Sequence, residues 1–262
     1  MQKRNRQMKD ISSRHQYILA QLEIRGMIRV EDLANKLGVT GATIRRDLRI
    51  LESQHALQRG YGIVFPAKRK ATDPPLNEKY NVKAGEKSLI AAAAVKLLDE
   101  NDSFMVTSGS TIESFVRKLE PKGEHFAVTA SIHLARLLLN KSGMDVFVLG
   151  GRIVKDSLSV RDHTSINTLR GIRCNKLFFS CDGFDLQAGI TSAYIEESQL
   201  NIEMVAACTQ KILLADSSKY GKVGFGKTCD LKDIDVLVTD GGLSRNAREL
   251  IEMQGVKVIV AR

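Results

Sequence analysis

No stretch of this chain stays apolar over the roughly 18–20 residues that a helix needs to cross a bilayer, which excludes a helical membrane span. The basic start, Met1-Gln2-Lys3-Arg4-Asn5-Arg6, leads into no apolar signal-peptide core. The protein is therefore expected to stay in the cytoplasm, with no membrane as partner. Cysteine is scarce: Cys174, Cys181, Cys208 and Cys229 form no close pair, and the five histidines are scattered. That argues against a zinc site and a disulfide framework, leaves the thiols as buried or incidental, and calls for no metal and no cofactor. Aromatic residues make up 5% of the chain, and its basic part lacks the exposed aromatic platform that single-stranded RNA recognition uses.

What the chain does have is an uneven charge distribution. Residues 1–72 hold 15 of the 39 Lys and Arg but only 6 of the 30 Asp and Glu, so the whole net charge of +9 lies there and the rest is neutral. A length of 262 residues accommodates two domains. The boundaries expected are a small basic domain over 1–65, a linker over 66–80 and a larger domain over 81–262. The linker contains Lys68-Arg69-Lys70 and Pro74-Pro75, a run that no helix survives. Its three cations serve equally well as a solvated tether or as a brush against a DNA backbone.

The basic domain reads as three helices and a hairpin. Ser12 and Ser13 are placed to cap a first helix whose face carries Ile18, Leu19 and Leu22, and Gly26 is placed to end it. Met27-Ile28-Arg29-Val30 suits one short strand. Leu33, Ala34 and Leu37 form the buried stripe of a second helix, Gly38 supplies a left-handed exit, and Thr40 caps a third helix. Two short helices joined through Gly38-Val39-Thr40 make a helix-turn-helix. At about 100° per residue, Ile44, Leu48 and Leu51 converge on the core, while Ala42, Arg46 and Arg49 point the other way and Thr43 and Arg45 flank them. Small residues and arginines on the outer face of such a helix suit base edges and phosphates in a major groove. Taken alone, the arginines also fit a solvated face; the preceding helix, the turn and the charge balance favour double-stranded DNA. Asp47 borders the core and is expected to pair with an arginine. Gln58 to Phe65 reads as a wing, with Arg59 and Tyr61 as phosphate contacts, Tyr61 being equally suited to packing.

The motifs Val30-Glu31-Asp32-Leu33-Ala34, Val39-Thr40, Thr43-Ile44-Arg45-Arg46-Asp47-Leu48 and Leu51-Glu52 resemble the DeoR family of bacterial transcriptional regulators. In that family the wing ends in two glycines; here Gly62 holds the first place and Ile63 the second.

After Glu86, a helix over Ile90 to Leu98 and later helical stretches alternate with short apolar runs: Phe104-Val106, Phe126-Val128, Val146-Leu149, Leu177-Phe179, Ile212-Leu214, Val236-Val238 and Val256-Val260. The fold class expected is therefore α/β: a winged helix-turn-helix followed by a larger α/β sensor domain with a mainly parallel sheet. The helix Ile195 to Ala207 suits a subunit interface or the core equally. Small polar residues follow the strands, and in a parallel sheet all those segments share one edge, where ligands bind. Ser108-Gly109-Ser110-Thr111 opens a helix and suits an anion. Thr129, Ser131, Gly151, Arg152, Asp182, Gly183, Thr191, Asp216 and Lys219 complete the candidate effector site. Loops after strands are commonly rich in such residues, but here the whole set recurs.

These segments also resemble the DeoR sensor domain, with good matches at Gly150-Gly151, Asp182-Gly183, Gly189-Ile190-Thr191 and Asp216-Ser217-Ser218-Lys219. The resemblance implies an isomerase-like fold, a phosphorylated sugar as small-molecule effector, no catalytic residues, and a homo-oligomer, dimer or tetramer, that represses a carbohydrate-utilisation operon. The alternative is a DNA-tethered sugar-phosphate isomerase or deaminase, with Asp182 or Asp216 as general base. Three positions depart from the family pattern. Thr107 stands where Asp is usual, Ala130 where Asn is usual, and Asp162 where Gly is usual; all three are expected in or beside the pocket.

Overall fold

The structure is a computed structural model that describes residues 11–25, 28–54, 56–60, 63–66, 76–155 and 157–262. The chain divides into two compact units, Met1–Thr72 and Asp73–Arg262.

The first unit runs α1 (Ile11–Arg25), β1 (Ile28–Arg29), α2 (Val30–Leu37), α3 (Gly41–Ser53), β2 (Leu57–Gly60) and β3 (Ile63–Pro66). Helix α1 already begins at Ile11, so Ser12 and Ser13 lie inside it rather than capping it. Between α2 and α3, Gly38 takes φ 64°, and its N–H closes onto the carbonyls of Ala34 and Asn35. Thr40 then accepts the Thr43 N–H at 3.2 Å, satisfying one orphan donor of the α3 N-terminus. The strands form an antiparallel sheet in the order β1-β3-β2. Ile18, Leu22, Leu33, Ile44, Leu48, Leu51, Leu57 and Val64 form one core. Asp47 is 3% exposed, and Arg14 of α1 grips both its oxygens at 2.8 and 3.1 Å, which locks α3 to α1.

The second unit is a seven-stranded, wholly parallel sheet in the order β15-β14-β12-β9-β4-β5-β6. Its strands are β4 (Ser103–Val106), β5 (His125–Thr129), β6 (Met144–Val148), β9 (Cys174–Phe179), β12 (Cys208–Leu214), β14 (Val236–Asp240) and β15 (Lys257–Ala261). Each apolar run of the sequence falls on one of them. Side chains alternate between faces. Phe104, Val106, Phe178, Ile212 and Leu214 pack in one core, and Met105, Leu177, Phe179 and Leu213 in the other. Phe178 stacks on Phe115 at 4.3 Å between centroids and meets Phe104 edge-on at 6.1 Å. At the amino edge, Lys176 is held between Asp99 and Asp102.

The helices of this unit are α4 (Leu76–Asn81), α5 (Ala84–Ala94), α6 (Ser110–Lys118), α7 (Ile132–Leu139), α8 (His163–Leu169), α9 (Ile195–Ala207) and α10 (Arg245–Glu252). Helix α9 buries Leu200, Met204 and Ala207 in the core and leaves Ile195 and Ile202 exposed. Two further pieces were not expected: a hairpin of β7 (Ile153–Val154) with β8 (Ser159–Val160), and a small sheet of β10 (Gly183–Asp185), β11 (Gly189–Ser192) and β13 (Gly226–Cys229). From β4 the chain steps outward through β5 and β6, then returns to β9 and proceeds the other way. Strand order thus reverses between β4 and β9, and an open α/β sheet offers its crevice at the carboxyl ends of such a pair.

Candidate functional site: an outward helix and a cavity at the sheet reversal

In the first unit, Thr40, Ala42, Arg45, Arg46 and Arg49 are exposed and Thr43 is half-buried, its hydroxyl 2.9 Å from that of Thr40. Helix α3 with its cap thus presents two hydroxyls, a small residue and three cations away from the core. The Arg59 Nε donates to Glu52 at 2.7 Å, its Nη2 also reaches Glu52, and its backbone N–H points to the same carboxylate at 3.3 Å. These bonds tie β2 to α3 and leave the Arg59 side chain a third exposed. Tyr61 lies outside the described residues.

In the second unit, a cavity of about 420 Å³ opens where the strand order reverses. The segment after β4 supplies Ser108, Gly109, Ser110 and Thr111. Gly109 takes φ 137° at the N-cap of α6, and a Cβ there would lie 2.6 Å from Ser180 Oγ, so only glycine lets the loops after β4 and β9 approach this closely. The segment after β9 supplies Ser180, Cys181 and Asp182. Asp182 accepts from Lys79 Nζ at 3.1 Å and from the Ala193 N–H at 2.8 Å. Burial pushes its carboxyl up, but Lys79, Lys219 and the Ala193 N–H outweigh burial and hold it below its ordinary value. The segment after β12 supplies Asp216, Ser218 and Lys219. Asp216, 3% exposed, accepts from the Ser218 N–H at 3.1 Å and from its hydroxyl at 2.5 Å. Beneath this turn, Asp240 at the end of β14 accepts the Ser217 N–H at 2.6 Å and its hydroxyl at 2.9 Å. Arg152 enters from the segment after β6, its N–H anchored on Asp162 at 2.7 Å.

Five expected residues lie off the cavity lining because the fold uses their polar atoms or their space. Thr129 accepts the Ser131 N–H, and Ser131 accepts the Leu134 N–H as the cap of α7. Thr191 donates to the Gly183 carbonyl at 2.9 Å and accepts the Gly224 N–H at 2.8 Å. Gly183 leaves room for the Lys222 carbonyl, and Gly151 for the Asp162 carboxylate. The three departures from the family pattern lie beside this lining: Thr107 and Ala130 line a small adjoining cavity that shares Ser108, Arg161 and Glu197 with the larger one, and Asp162 holds the Arg152 backbone. Thr107 accepts the Ser180 N–H at 3.3 Å, Ala130 is buried, and Asp162 caps α8 by accepting the Thr164 and Ser165 N–H groups.

The structure also brings in residues that the sequence reading missed. Lys79 of α4, Lys87 of α5, Arg161 after β8, and Tyr194 and Glu197 at the start of α9 all line the cavity. Arg161 pairs with Glu197 at 3.2 Å and lies 4.9 Å above the Tyr194 ring. Lys87 is 5% exposed; its Nζ donates to the Val82 carbonyl at 2.6 Å and to that of Lys79, and burial holds its pKa below the ordinary lysine value. One signal was available for it: Lys87 shares the helical stripe of Ile90, Ala91 and Ala94, where a cation has no structural reason to sit. Among the described residues there is no cluster of metal-ligating side chains, and no helix is long and apolar enough to cross a membrane. All four thiols are free; burial raises those of Cys208 and Cys229 to about 12.

A winged helix-turn-helix with a cationic outward helix, followed by an α/β domain with a charged cavity at its sheet reversal, defines a DNA-binding transcriptional regulator with a sensor domain. Residues 14–68 match the DeoR-like helix-turn-helix domain and residues 82–241 the DeoR C terminal sensor domain. The chain belongs to the DeoR family. It is 33% identical over 248 residues to YulB, an HTH-type transcriptional regulator of Bacillus subtilis (strain 168), covering 95% of this chain and 96% of that protein. It is 28% identical over 250 residues to GlcR, an HTH-type transcriptional repressor of the same organism, covering 93% of each. Among solved structures, ribose 5 phosphate isomerase A from Neisseria gonorrhoeae superposes with a TM-score of 0.38 at 20% identity, over 51% of this chain and 52% of that one.

Proposed function

We propose that the protein represses a carbohydrate-utilisation operon as a homo-oligomer and leaves its operator when a phosphorylated sugar fills the cavity. The observation that carries this reading is the chemistry of the lining. Six cations, Lys79, Lys87, Arg152, Arg161, Lys219 and Lys222, face four acids, Asp182, Glu196, Glu197 and Asp216, so the cavity favours an anion. Beside them, the α6 N-terminus at Ser110 and Thr111 suits a phosphate, and Asp182 and Asp216 suit sugar hydroxyls. The DNA-binding side chains would be Thr40, Ala42, Thr43, Arg45, Arg46 and Arg49, and paired half-sites would match a symmetric oligomer.

The cavity would act as a sensor rather than a catalytic centre. A general base works best with a pKa near the operating pH, whereas Asp182 is held below its ordinary value. The experiment is fluorescence anisotropy of the protein on its own upstream DNA against hexose and pentose phosphates and their unphosphorylated parents. Release by a phosphorylated compound alone supports the proposal. Tight binding that no compound disturbs, or turnover of a sugar phosphate by the purified protein, counts against it.

A further inference from the structure

A second cavity, of about 10 Å³, adjoins the large one. The two share Ser108, Arg161 and Glu197 as a common wall, so the small cavity is an annex of the large one. Helix α9 closes it with Glu197, Leu200, Asn201 and Met204, which are spaced three and four apart and so share one helix face. Asn201 is the exception on the buried part of that face, between Leu200 and Met204. It is 2% exposed, and among the described residues its Nδ2 has no hydrogen-bond partner. The buried Nε of Arg161 likewise has none, although the same guanidinium pairs with Glu197 at 3.2 Å.

A buried donor left without an acceptor destabilises a fold, so packing alone does not account for an asparagine here. The nearby hydroxyls are engaged elsewhere. Ser159 lies 2.7 Å from the Ser157 hydroxyl, and Thr107 accepts the Ser180 N–H at 3.3 Å. Ala130 and Val160 complete the wall without a polar side chain. The annex thus has donors to spare, and its volume is about that of a single water-sized group. We propose that the annex is a one-oxygen subsite of the effector cavity: an uncharged hydroxyl or carbonyl oxygen of the ligand enters it and accepts from Asn201 Nδ2. This inference rests on the large cavity being the effector site. A site built to pair one ligand oxygen rejects the analogue that lacks it, because the donor is then left unpaired. The cations of the large cavity select an anion; Asn201 selects among anions.

Two variants approach the annex from opposite sides. Asn201→Leu keeps the size of the side chain and removes the donor. Ala130→Ser leaves Asn201 in place and adds a protein oxygen to the annex wall. Calorimetry on the full chain would measure binding of ribose 5-phosphate, fructose 1-phosphate and glucose 6-phosphate, of the unphosphorylated sugar acids gluconate and glucuronate, and of inorganic phosphate. The expected result is that each variant binds the tightest sugar probe at least about tenfold more weakly than wild type does, with affinity for inorganic phosphate unchanged. Wild-type affinity for that probe in either variant overturns the subsite and leaves the effector reading standing, as an annex that holds only water would give. An equal loss of inorganic phosphate also overturns it, because the damage then extends to the large cavity. If Asn201→Leu does not fold, Ala130→Ser decides alone. If only a sugar acid binds wild type and the variants lose it, the subsite stands and the sugar-phosphate reading falls. If no sugar probe binds wild type, both fall.

Discussion

At the scale of single residues, α3 separates two kinds of charge. Arg46 and Arg49 point outward and are exposed, whereas Asp47 between them is buried and committed to Arg14. Arg49→Ala should weaken operator binding by about 1–3 kcal/mol if the guanidinium reads a base edge, and leave the melting temperature unchanged. Asp47→Ala should do the reverse kind of harm. It strands a guanidinium in the core of the first unit, a change that costs about 3–5 kcal/mol for a buried pair, read as an early melting transition. Asp182 gives a pH signature. Burial opposes its ionisation, but Lys79, Lys219 and the Ala193 N–H prevail, so its folded pKa lies below the unfolded one. Its contribution is fully present above about pH 4 and is lost as pH falls through the folded value. Asp182→Asn should flatten the acid limb of a plot of melting temperature against pH; an unaltered limb would show that other carboxylates dominate it.

At the scale of elements, the joint between β4 and α6 is the most exacting part of the cavity. Gly109→Ala would force a Cβ to 2.6 Å from Ser180 Oγ at φ 137°, a conformation that costs an L-residue about 1–3 kcal/mol. The loops after β4 and β9 would separate. The expected outcome is a much weaker response to sugar phosphates in the operator-release assay, with unchanged operator affinity in their absence. Strands of the large sheet were legible because each is apolar on both faces, so that Phe104-Met105-Val106 or Ile212-Leu213-Leu214 can be read without knowing its neighbours. The β7–β8 hairpin and the β10-β11-β13 sheet were not. Gly183-Phe184-Asp185 and Gly226-Lys227-Thr228-Cys229 carry no such run, and their pairing depends on partners far along the chain. Helix α4 escaped because two of its ties come from outside it: Lys79 bonds Asp182, 103 residues away, and the Lys79 carbonyl accepts from Lys87 of α5.

At the scale of the whole molecule, the charge asymmetry predicts strong salt dependence. With the net +9 confined to residues 1–72, operator affinity should fall linearly on a log–log plot against salt, with a slope near −0.9 per phosphate neutralised. Substituting one phosphate-contacting arginine of α3 should reduce that slope by about one. A slope near zero would remove the electrostatic basis of the DNA-binding reading.

The sequence by itself determined which part of the chain binds DNA, the outward face of α3 and the seven strands of the sheet. These follow from local periodicity, net charge and the alternation of side chains, all written in neighbouring residues. Only the tertiary structure decided which polar residues line the cavity. The hydroxyls of Thr129, Ser131 and Thr191 look in sequence like those of Ser110 and Thr111 but are consumed by buried backbone groups, which must find partners when water is excluded. Lys79, Lys87 and Arg161, remote from the strand-following segments in sequence, reach the cavity because the reversal of strand order brings α4, α5 and the segment after β8 to the same edge.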